Sequence, residues 1–208
     1  PDGQRSMSTF LGAASLLEPA DISREAVQAG AVLFLEGYLF DRDEAKAAFK
    51  VASKYAHEAG RKVSLTLSDS FCVDRHREDF LDLILNDIDV LFCNEFELQS
   101  LYQTSYEEAL EQLRSDCEFG AVTRDKRGSV VINGHDLVHI EPEPVDWVID
   151  ATGAGDQYAA GFLYGFTRGM AIEHCGRLGS MSASEVITHV GPRPLVQLST
   201  LIPEHLRS

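Results

Sequence analysis

The sequence lacks the markers of several protein classes. No apolar run approaches the roughly 18 residues that a membrane-spanning helix needs, and the amino terminus has no signal-peptide core, so a cytoplasmic protein without a membrane partner is expected. Basic residues number 18 against 33 acidic ones, and the formal charge of -15 argues against a nucleic-acid partner. Four scattered cysteines form no CxxC pair or zinc-type spacing and are predicted to be reduced, buried thiols.

Several familiar motifs are also absent. The sequence contains no GxxxxGK[ST] phosphate loop, no HRD and DFG pair, no GxSxG nucleophile elbow and no GxGxxG turn after an early strand. P-loop NTPases, protein kinases, α/β-hydrolases and dinucleotide-binding dehydrogenases are therefore excluded. The seven histidines are scattered along the chain, and none is assigned to metal binding or catalysis.

Hydrophobic periodicity predicts strands that alternate with helices. The predicted strands are 6–13, 31–40, 62–67, 89–93, 119–123 and a hairpin of 129–132 and 137–140; the predicted helices are 42–60, 74–85, 94–102, 106–114, 155–168 and 172–190. This alternation indicates an α/β fold with a mostly parallel sheet covered on both faces, and the lack of a linker predicts one domain over residues 1–208. Ligands of such sheets bind beyond the carboxyl ends of the strands.

One segment, Asp150 to Asp156 (DATGAGD), has the chemistry of a phosphate site. Gly153, Ala154 and Gly155 are small, so backbone N–H groups at the start of the following helix can approach an anion, helped by the helix dipole. Asp156 follows in the first turn, where it can accept the proton of an attacking hydroxyl. The alternative is a plain glycine-rich helix entry in which Asp156 only complements the dipole.

This segment, with the QYAAGF that follows, resembles the second signature of the ribokinase (pfkB) family of carbohydrate and nucleoside kinases, DTxGAGDxFxxGF. It departs from that signature at Ala151 and Tyr158. The resemblance implies a ribokinase-like three-layer α/β/α sandwich and an ATP-dependent phosphotransferase. Asp156 would be its catalytic base, and Gly153 to Gly155 would form the anion hole for the transferred phosphate.

A second segment that resembles the family is Asn94-Glu95-Phe96-Glu97, at the end of a predicted strand. The resemblance implies that Asn94 and Glu97 lie near the nucleotide phosphates and organise Mg²⁺, Glu97 largely through bound water, which suits the oxygen preference and hydration of this ion. The alternative is that Asn94 caps the helix and Glu97 is a solvated first-turn acid.

Two further segments resemble the nucleotide-binding parts of the family. Thr123 and Gly128 match a V-T-x-G-x-x-G loop that contacts ATP, although Asp125 replaces a glycine, and a solvent-exposed turn is the alternative. Ser184 lies on a helix that resembles the one beside the adenine, for which core packing is the alternative. In members that use K⁺, the segment around Asp150 and Thr152 supplies oxygen ligands.

Two residues are predicted to contact the acceptor on the basis of resemblance to adenosine-kinase-like members. Arg5 would reach the phosphates as a fixed cation, and Tyr38, after the strand at 31–40, would stack on a nucleoside. For Arg5 the alternative is an exposed strand-entry arginine.

The leading hypothesis is transfer of the γ-phosphate of ATP to an alcohol group of an adenosine-like nucleoside. Two alternatives stay open: a ribose- or fructose-type sugar kinase, and a nucleotide-binding regulatory module without turnover. The partners expected are a small-molecule sugar or nucleoside, with a homodimer left open. The chain begins at Pro1, and the resemblance covers only the later part of the family, so the amino-terminal third with its lid strands is expected to be absent.

Overall fold

The computed structural model describes residues 8–203, which form two compact units. The amino-terminal unit comprises Thr9–Val122 and Ile132–Asp136, and the carboxyl-terminal unit comprises Thr123–Val131 together with residues 137–203 and Ser8. A single domain over 1–208 remains a proposal.

The amino-terminal unit consists of strand-helix repeats. Helix α1 is Arg24–Ala29, and the strands are β1 (Val32–Glu36), β2 (Lys62–Thr66), β3 (Val90–Asn94) and β4 (Phe119–Thr123). The other helices are α2 (Asp43–Glu58), α3 (Ser70–Arg75), α4 (Arg77–Asp87), α5 (Glu95–Tyr102) and α6 (Tyr106–Asp116). In the parallel pairing of β1 with β2, Val32 lies opposite Lys62, and in that of β2 with β3, Ser64 lies opposite Val90.

The core of this unit follows from side-chain chemistry. Strand β3 is apolar in four of its five residues, and β2 alternates Val63 and Leu65 with polar residues; the three central residues of β2 and the first four of β3 are buried, as expected for strands that are covered on both faces. Helix α2 buries an alanine-rich face that allows close packing, and Phe40 stacks on Phe80 with ring centroids 4.2 Å apart. All four cysteines of the chain are free and buried, which confirms the prediction.

The carboxyl-terminal unit is dominated by one helix pair. Strands β5 (Ser129–Asn133) and β6 (Asp136–Ile140) contribute residues 129–131 and 137–140 to this unit. Helix α7 (Ala154–Phe166) packs along α8 (Ile172–Val186). A Cβ atom at Gly161 would lie 2.3 Å from the Leu178 carbonyl oxygen, and one at Gly179 would lie 2.9 Å from the Tyr158 carbonyl oxygen. Only glycine permits this close contact of the two helices.

The strands form one sheet in the order β1-β2-β3-β4-β5-β6, with the β1–β3 pairings parallel, which confirms the α/β prediction. The predicted strand over 6–13 is wrong where it is described, because residues 8–11 have no regular structure and a 3₁₀ helix begins at Gly12. The helix predicted over 74–85 is two helices that meet at His76. Within residues 8–203, no helix is both long and apolar enough to cross a membrane.

Candidate functional site

The loop before α7 is shaped by the side chain of Asp150. Its Oδ1 accepts hydrogen bonds from the Thr152 backbone N–H at 2.9 Å and from Thr152 Oγ1 at 2.6 Å. Its Oδ2 accepts from the backbone N–H of Gly191 at 2.9 Å. The carboxylate therefore turns the chain toward the helix and ties the loop to a segment 41 residues later.

The start of α7 depends on glycine at one position and is open at another. Gly153, the N-cap, has φ +79°, and a Cβ there would lie 2.6 Å from Pro192 Cβ, so glycine is required for both conformation and space. A Cβ at Gly155 would meet nothing within 4 Å. Asp156, the third residue of α7, is exposed in the first turn. This arrangement can present backbone N–H groups and a carboxylate to an anionic ligand.

A cavity of about 170 Å³ adjoins this helix start, wholly within the carboxyl-terminal unit. Its lining includes five candidate residues from the sequence: Thr123, Gly128, Ala154, Gly155 and Ser184. The remaining lining residues are Asp125, Pro142, Glu143, Tyr158, Ser180, Ala183 and Ile187. Mixed apolar and hydroxyl groups in a small cleft can hold part of a nucleotide-sized ligand.

The loop between β4 and β5 is a tight turn at the cavity. The Arg124 N–H donates to the Gly128 carbonyl at 2.8 Å, and the Gly128 N–H donates to the Asp125 carbonyl at 3.0 Å. Gly128 has φ +75°, and a Cβ there would lie 2.0 Å from the Ile140 carbonyl oxygen. Asp125 has φ +53°, the left-handed conformation that favours glycine. Asp125 therefore adopts the backbone conformation that favours glycine, at the position where the family motif has one.

Sequence reasoning missed part of the cavity wall. Ser180, Ala183 and Ile187 share one side of α8 and its end with Ser184, a spacing of three, four and seven residues that marks one helix face. That spacing could have identified them. Tyr158, noted only as a departure from phenylalanine, is buried with its hydroxyl 2.7 Å from Ser129 Oγ, and burial raises its pKa well above the usual value.

Asn94 and Glu97 lie in the amino-terminal unit and form a closed capping box. The Glu97 N–H donates to Asn94 Oδ1 at 2.9 Å, while Glu97 accepts from the Asn94 N–H at 2.9 Å and from Asn94 Nδ2 at 2.7 Å. The helix cap at Asn94, which was the alternative given for this residue, is present. Glu97 is only 7% exposed, so the alternative of a solvated acid is wrong, and burial raises its pKa to about 7.

Of the two residues predicted to contact the acceptor, the structure describes only Tyr38. Tyr38 lies just after β1, in a 3₁₀ helix over Gly37–Asp41, and is 36% exposed. Gly37 fixes this turn against the end of β2, because a Cβ there would lie 2.6 Å from the Leu67 carbonyl oxygen. Arg5 lies outside the described residues.

Comparison with known proteins identifies the chain. The pattern of the pfkB family carbohydrate kinases matches residues 1–198. The chain belongs to this family. Over 141 residues it is 32% identical to a cytidine kinase of Thermococcus kodakarensis, an overlap that covers 64% of this chain and 49% of that protein. The chain spans about half the length of the curated relatives that it matches first.

Two crystal structures share the fold over nearly the whole chain. A probable sugar kinase of Rhizobium etli CFN 42 and an adenosine kinase from Sinorhizobium meliloti each superpose with a TM-score of 0.93 at 46% identity. Each superposition covers 96% of this chain, and 61% and 62% of the respective relatives. The expected ribokinase-like α/β architecture of this family member is confirmed.

Proposed function

We propose that this pfkB family member transfers the γ-phosphate of ATP to an alcohol group of a nucleoside or sugar, with Asp156 as the base. The observation that carries the proposal is the helix start at Gly153–Asp156, where an open glycine and an exposed carboxylate adjoin a cavity lined by Thr123, Gly128 and Ser184. Together these features offer an anion site, a proton acceptor and a cleft for the rest of the nucleotide.

The proposed reaction is an in-line displacement. The acceptor hydroxyl oxygen attacks the γ-phosphorus and forms a new P–O bond. The bond between the γ-phosphorus and the β-γ bridging oxygen breaks, and ADP leaves with that electron pair. The hydroxyl proton passes to the Asp156 carboxylate late in the reaction, since an exposed carboxylate is a weak base and acts first by orienting the hydroxyl. The Gly155 backbone N–H, with the helix dipole, would stabilise charge on the transferring group, and the Ala154 N–H would join it by giving up its 3.3 Å hydrogen bond to the Ala151 carbonyl.

The cavity supports a nucleotide whose phosphates point toward α7. Asp125 and Glu143 carry negative charge on the cavity wall, whereas the start of α7 carries the positive end of its dipole. The phosphates would therefore lie at Ala154 and Gly155. The base and ribose would lie along the face of α8 that contains Ser184, where small side chains leave room.

Two cations, Mg²⁺ and K⁺, each have candidate oxygen ligands. Asn94 and Glu97 offer only oxygen ligands in a shielded place, and both Glu97 oxygens already accept hydrogen bonds, which suits contact with Mg²⁺ through water. When bound, Mg²⁺ would neutralise phosphate charge. Asp150 and Thr152 supply the oxygens proposed for K⁺, and Asp150 already accepts from Gly191 and Thr152.

The acceptor proposed first is an adenosine-like nucleoside. An exposed aromatic ring at Tyr38, beyond the carboxyl end of β1, can stack on a base. Relatives described as adenosine kinase and cytidine kinase agree with this class. A ribose- or fructose-type sugar is the second candidate, favoured by the family description and by the sugar kinase similarity.

Single-turnover transfer from γ-labelled ATP tests the proposal. The protein and its Asp156→Asn variant would be compared with adenosine, cytidine, ribose and fructose as acceptors, using Asp146→Asn, an exposed acid of the preceding loop, as the matched control. We expect one acceptor to be labelled, and Asp156→Asn to slow transfer roughly 10²–10⁴-fold with ATP affinity retained.

Equal rates in Asp156→Asn and the unaltered protein would remove Asp156 as the base. Tight ATP binding without transfer to any acceptor would instead favour a regulatory nucleotide-binding module.

A further inference from the structure

Residues 190–195, here called the strap, follow α8 and have no helix or strand structure of their own. Their conformation must therefore be held by contacts with other parts of the carboxyl-terminal unit. Gly191 has φ +99°, and Pro192 and Pro194 have φ fixed by their rings. These backbone restrictions give the strap few alternative paths once its contacts form.

The strap lies against the candidate catalytic loop at three successive places. The Gly191 N–H donates to Asp150 Oδ2 at 2.9 Å. Pro192 occupies the space that a Cβ of Gly153 would need, at 2.6 Å. Gln157 Nε2 donates to the Pro192 carbonyl at 3.4 Å. The strap thus contacts the loop before, at and after the helix start that contains Ala154, Gly155 and Asp156.

The far end of the strap is fixed by Glu185. This residue lies in the last turn of α8, and its side chain is only 10% exposed. Its Oε1 accepts from the Leu195 N–H at 2.9 Å, and its carboxylate lies 3.4 Å from His189 Nε2, one turn later. A hydrogen bond to a charged and largely shielded carboxylate is among the stronger kinds in proteins.

Glu185 therefore acts from a rigid support. Helix α8 is packed on α7 through Gly161 and Gly179, where the helices approach too closely for any side chain. Helix α7 in turn begins with the catalytic loop. The α8 support, the strap and the start of α7 form a closed ring of contacts, in which Glu185 determines where the strap is attached.

We propose that Glu185 is a positioning residue for phosphoryl transfer, acting through the strap on the conformation of the Gly153–Asp156 loop. The inference rests on the proposed function, and it assigns to Glu185 no contact with substrate. The rate of a catalysed reaction falls steeply when a catalytic group is misplaced by about 1 Å. A loosened strap would let the Gly153–Asp156 loop shift, and would therefore lower the rate of transfer more than the affinity for the nucleotide.

Substitutions at Glu185 separate positioning from general stability. Glu185→Ala removes the acceptor for the Leu195 N–H, whereas Glu185→Gln keeps an oxygen that can accept it, and His189→Ala removes only the other partner. We expect Glu185→Ala to lower kcat by about 10- to 100-fold with KM for ATP changed by less than about threefold. Glu185→Gln should restore most of kcat, and His189→Ala should stay close to the unaltered protein.

A second readout does not depend on turnover. Amide hydrogen exchange should be faster in Glu185→Ala at the strap and at Ala154–Asp156, with the interior of α7 and α8 unchanged. Leu195→Pro, which removes the donor from an exposed residue, should reproduce the effect if Glu185→Ala fails to fold.

The proposal would be overturned if Glu185→Ala or Leu195→Pro changed neither amide exchange at the loop nor kcat. It would also be overturned if Glu185→Gln lowered kcat as much as Glu185→Ala does. If the unaltered protein transfers no phosphate, the proposed function fails, while the exchange measurement still decides whether Glu185 holds the loop.

Discussion

Helices α5 and α7 each begin at a candidate phosphate-site segment, yet their first turns are completed differently. At α5, Asn94 and Glu97 cap each other through side chains, and the Glu97 carboxylate is buried. At α7, the N-cap is Gly153, which has no side chain to cap the helix, and Asp156 is exposed. The first turn of α5 is closed by its own residues, whereas that of α7 is open toward a cavity.

The difference illustrates two ways in which the first turn of a helix can be completed. A capped turn holds a carboxylate in a fixed, shielded place, at a cost in desolvation that appears as a raised pKa. An uncapped turn can offer backbone donors to a ligand, although at α7 the Ala154 N–H donates to the Ala151 carbonyl at 3.3 Å, and such a turn needs other parts of the chain for its shape. At α7 that support comes from Asp150 and the strap.

The largest effects on stability and activity are expected when each of the two glycines of the open turn is replaced by alanine. Gly153→Ala places a Cβ on backbone with φ +79° and against Pro192, so the free energy of unfolding should fall by about 2–5 kcal/mol. Gly155→Ala meets no atom within 4 Å and replaces glycine within a helix, so unfolding should cost about 0.5–1 kcal/mol more. Its Cβ would nevertheless narrow the proposed anion site, so phosphoryl transfer should slow by about tenfold or more.

Denaturant unfolding and transfer rates measure these two effects separately. If Gly155→Ala were both more stable and fully active, the phosphate would not approach that residue, and the open turn would have only a structural role.

A smaller effect is expected at the closed turn, as a dependence of stability on pH. Because burial raises the pKa of Glu97 from its usual 4.5 to about 7, the folded state between these values binds a proton that the unfolded state does not. The free energy of unfolding should therefore be highest at the low end of this range and fall as the pH rises through 7, by at most about 3 kcal/mol. Glu97→Gln should remove this part of the slope.

Unfolding of both proteins in denaturant between about pH 5 and about pH 8 measures the difference. Glu107→Gln, at an exposed acid in the first turn of α6, is the matched control and should leave the slope unchanged. Parallel curves for the unaltered protein and Glu97→Gln would show that Glu97 is ionised throughout this range.

Much of the fold could be predicted because its signals are local. Hydrophobic periodicity predicted β2 and β4 within one residue, and the β5–β6 hairpin was recognised from its turn. The errors arose where tertiary context decides. The apolar run at 31–40 ends as a strand at Glu36, because Gly37 packs on the end of β2 and Phe40 turns into the core. Helix α1 is only six residues long, which is too short for a helical periodicity of apolar residues to be recognised.

The candidate site shows the same division. Gly153, Gly155 and Asp156 could be recognised because small residues and an acid occur together in sequence. The support from Gly191 and Pro192 could not, because it joins residues about 40 positions apart through one hydrogen bond and one packing contact. The burial of Glu97 was also missed, since a first-turn glutamate is usually exposed.

The central claim is that the open start of α7 is where phosphate is transferred. The most direct test is a crystal structure of the protein with Mg²⁺, a non-hydrolysable ATP analogue and the acceptor that is labelled in the transfer assay. We expect the γ-phosphate at the backbone N–H groups of Ala154 and Gly155, with the acceptor hydroxyl about 3 Å from an Asp156 carboxylate oxygen. A nucleotide bound with its phosphates away from α7, or an acceptor hydroxyl out of reach of Asp156, would contradict it.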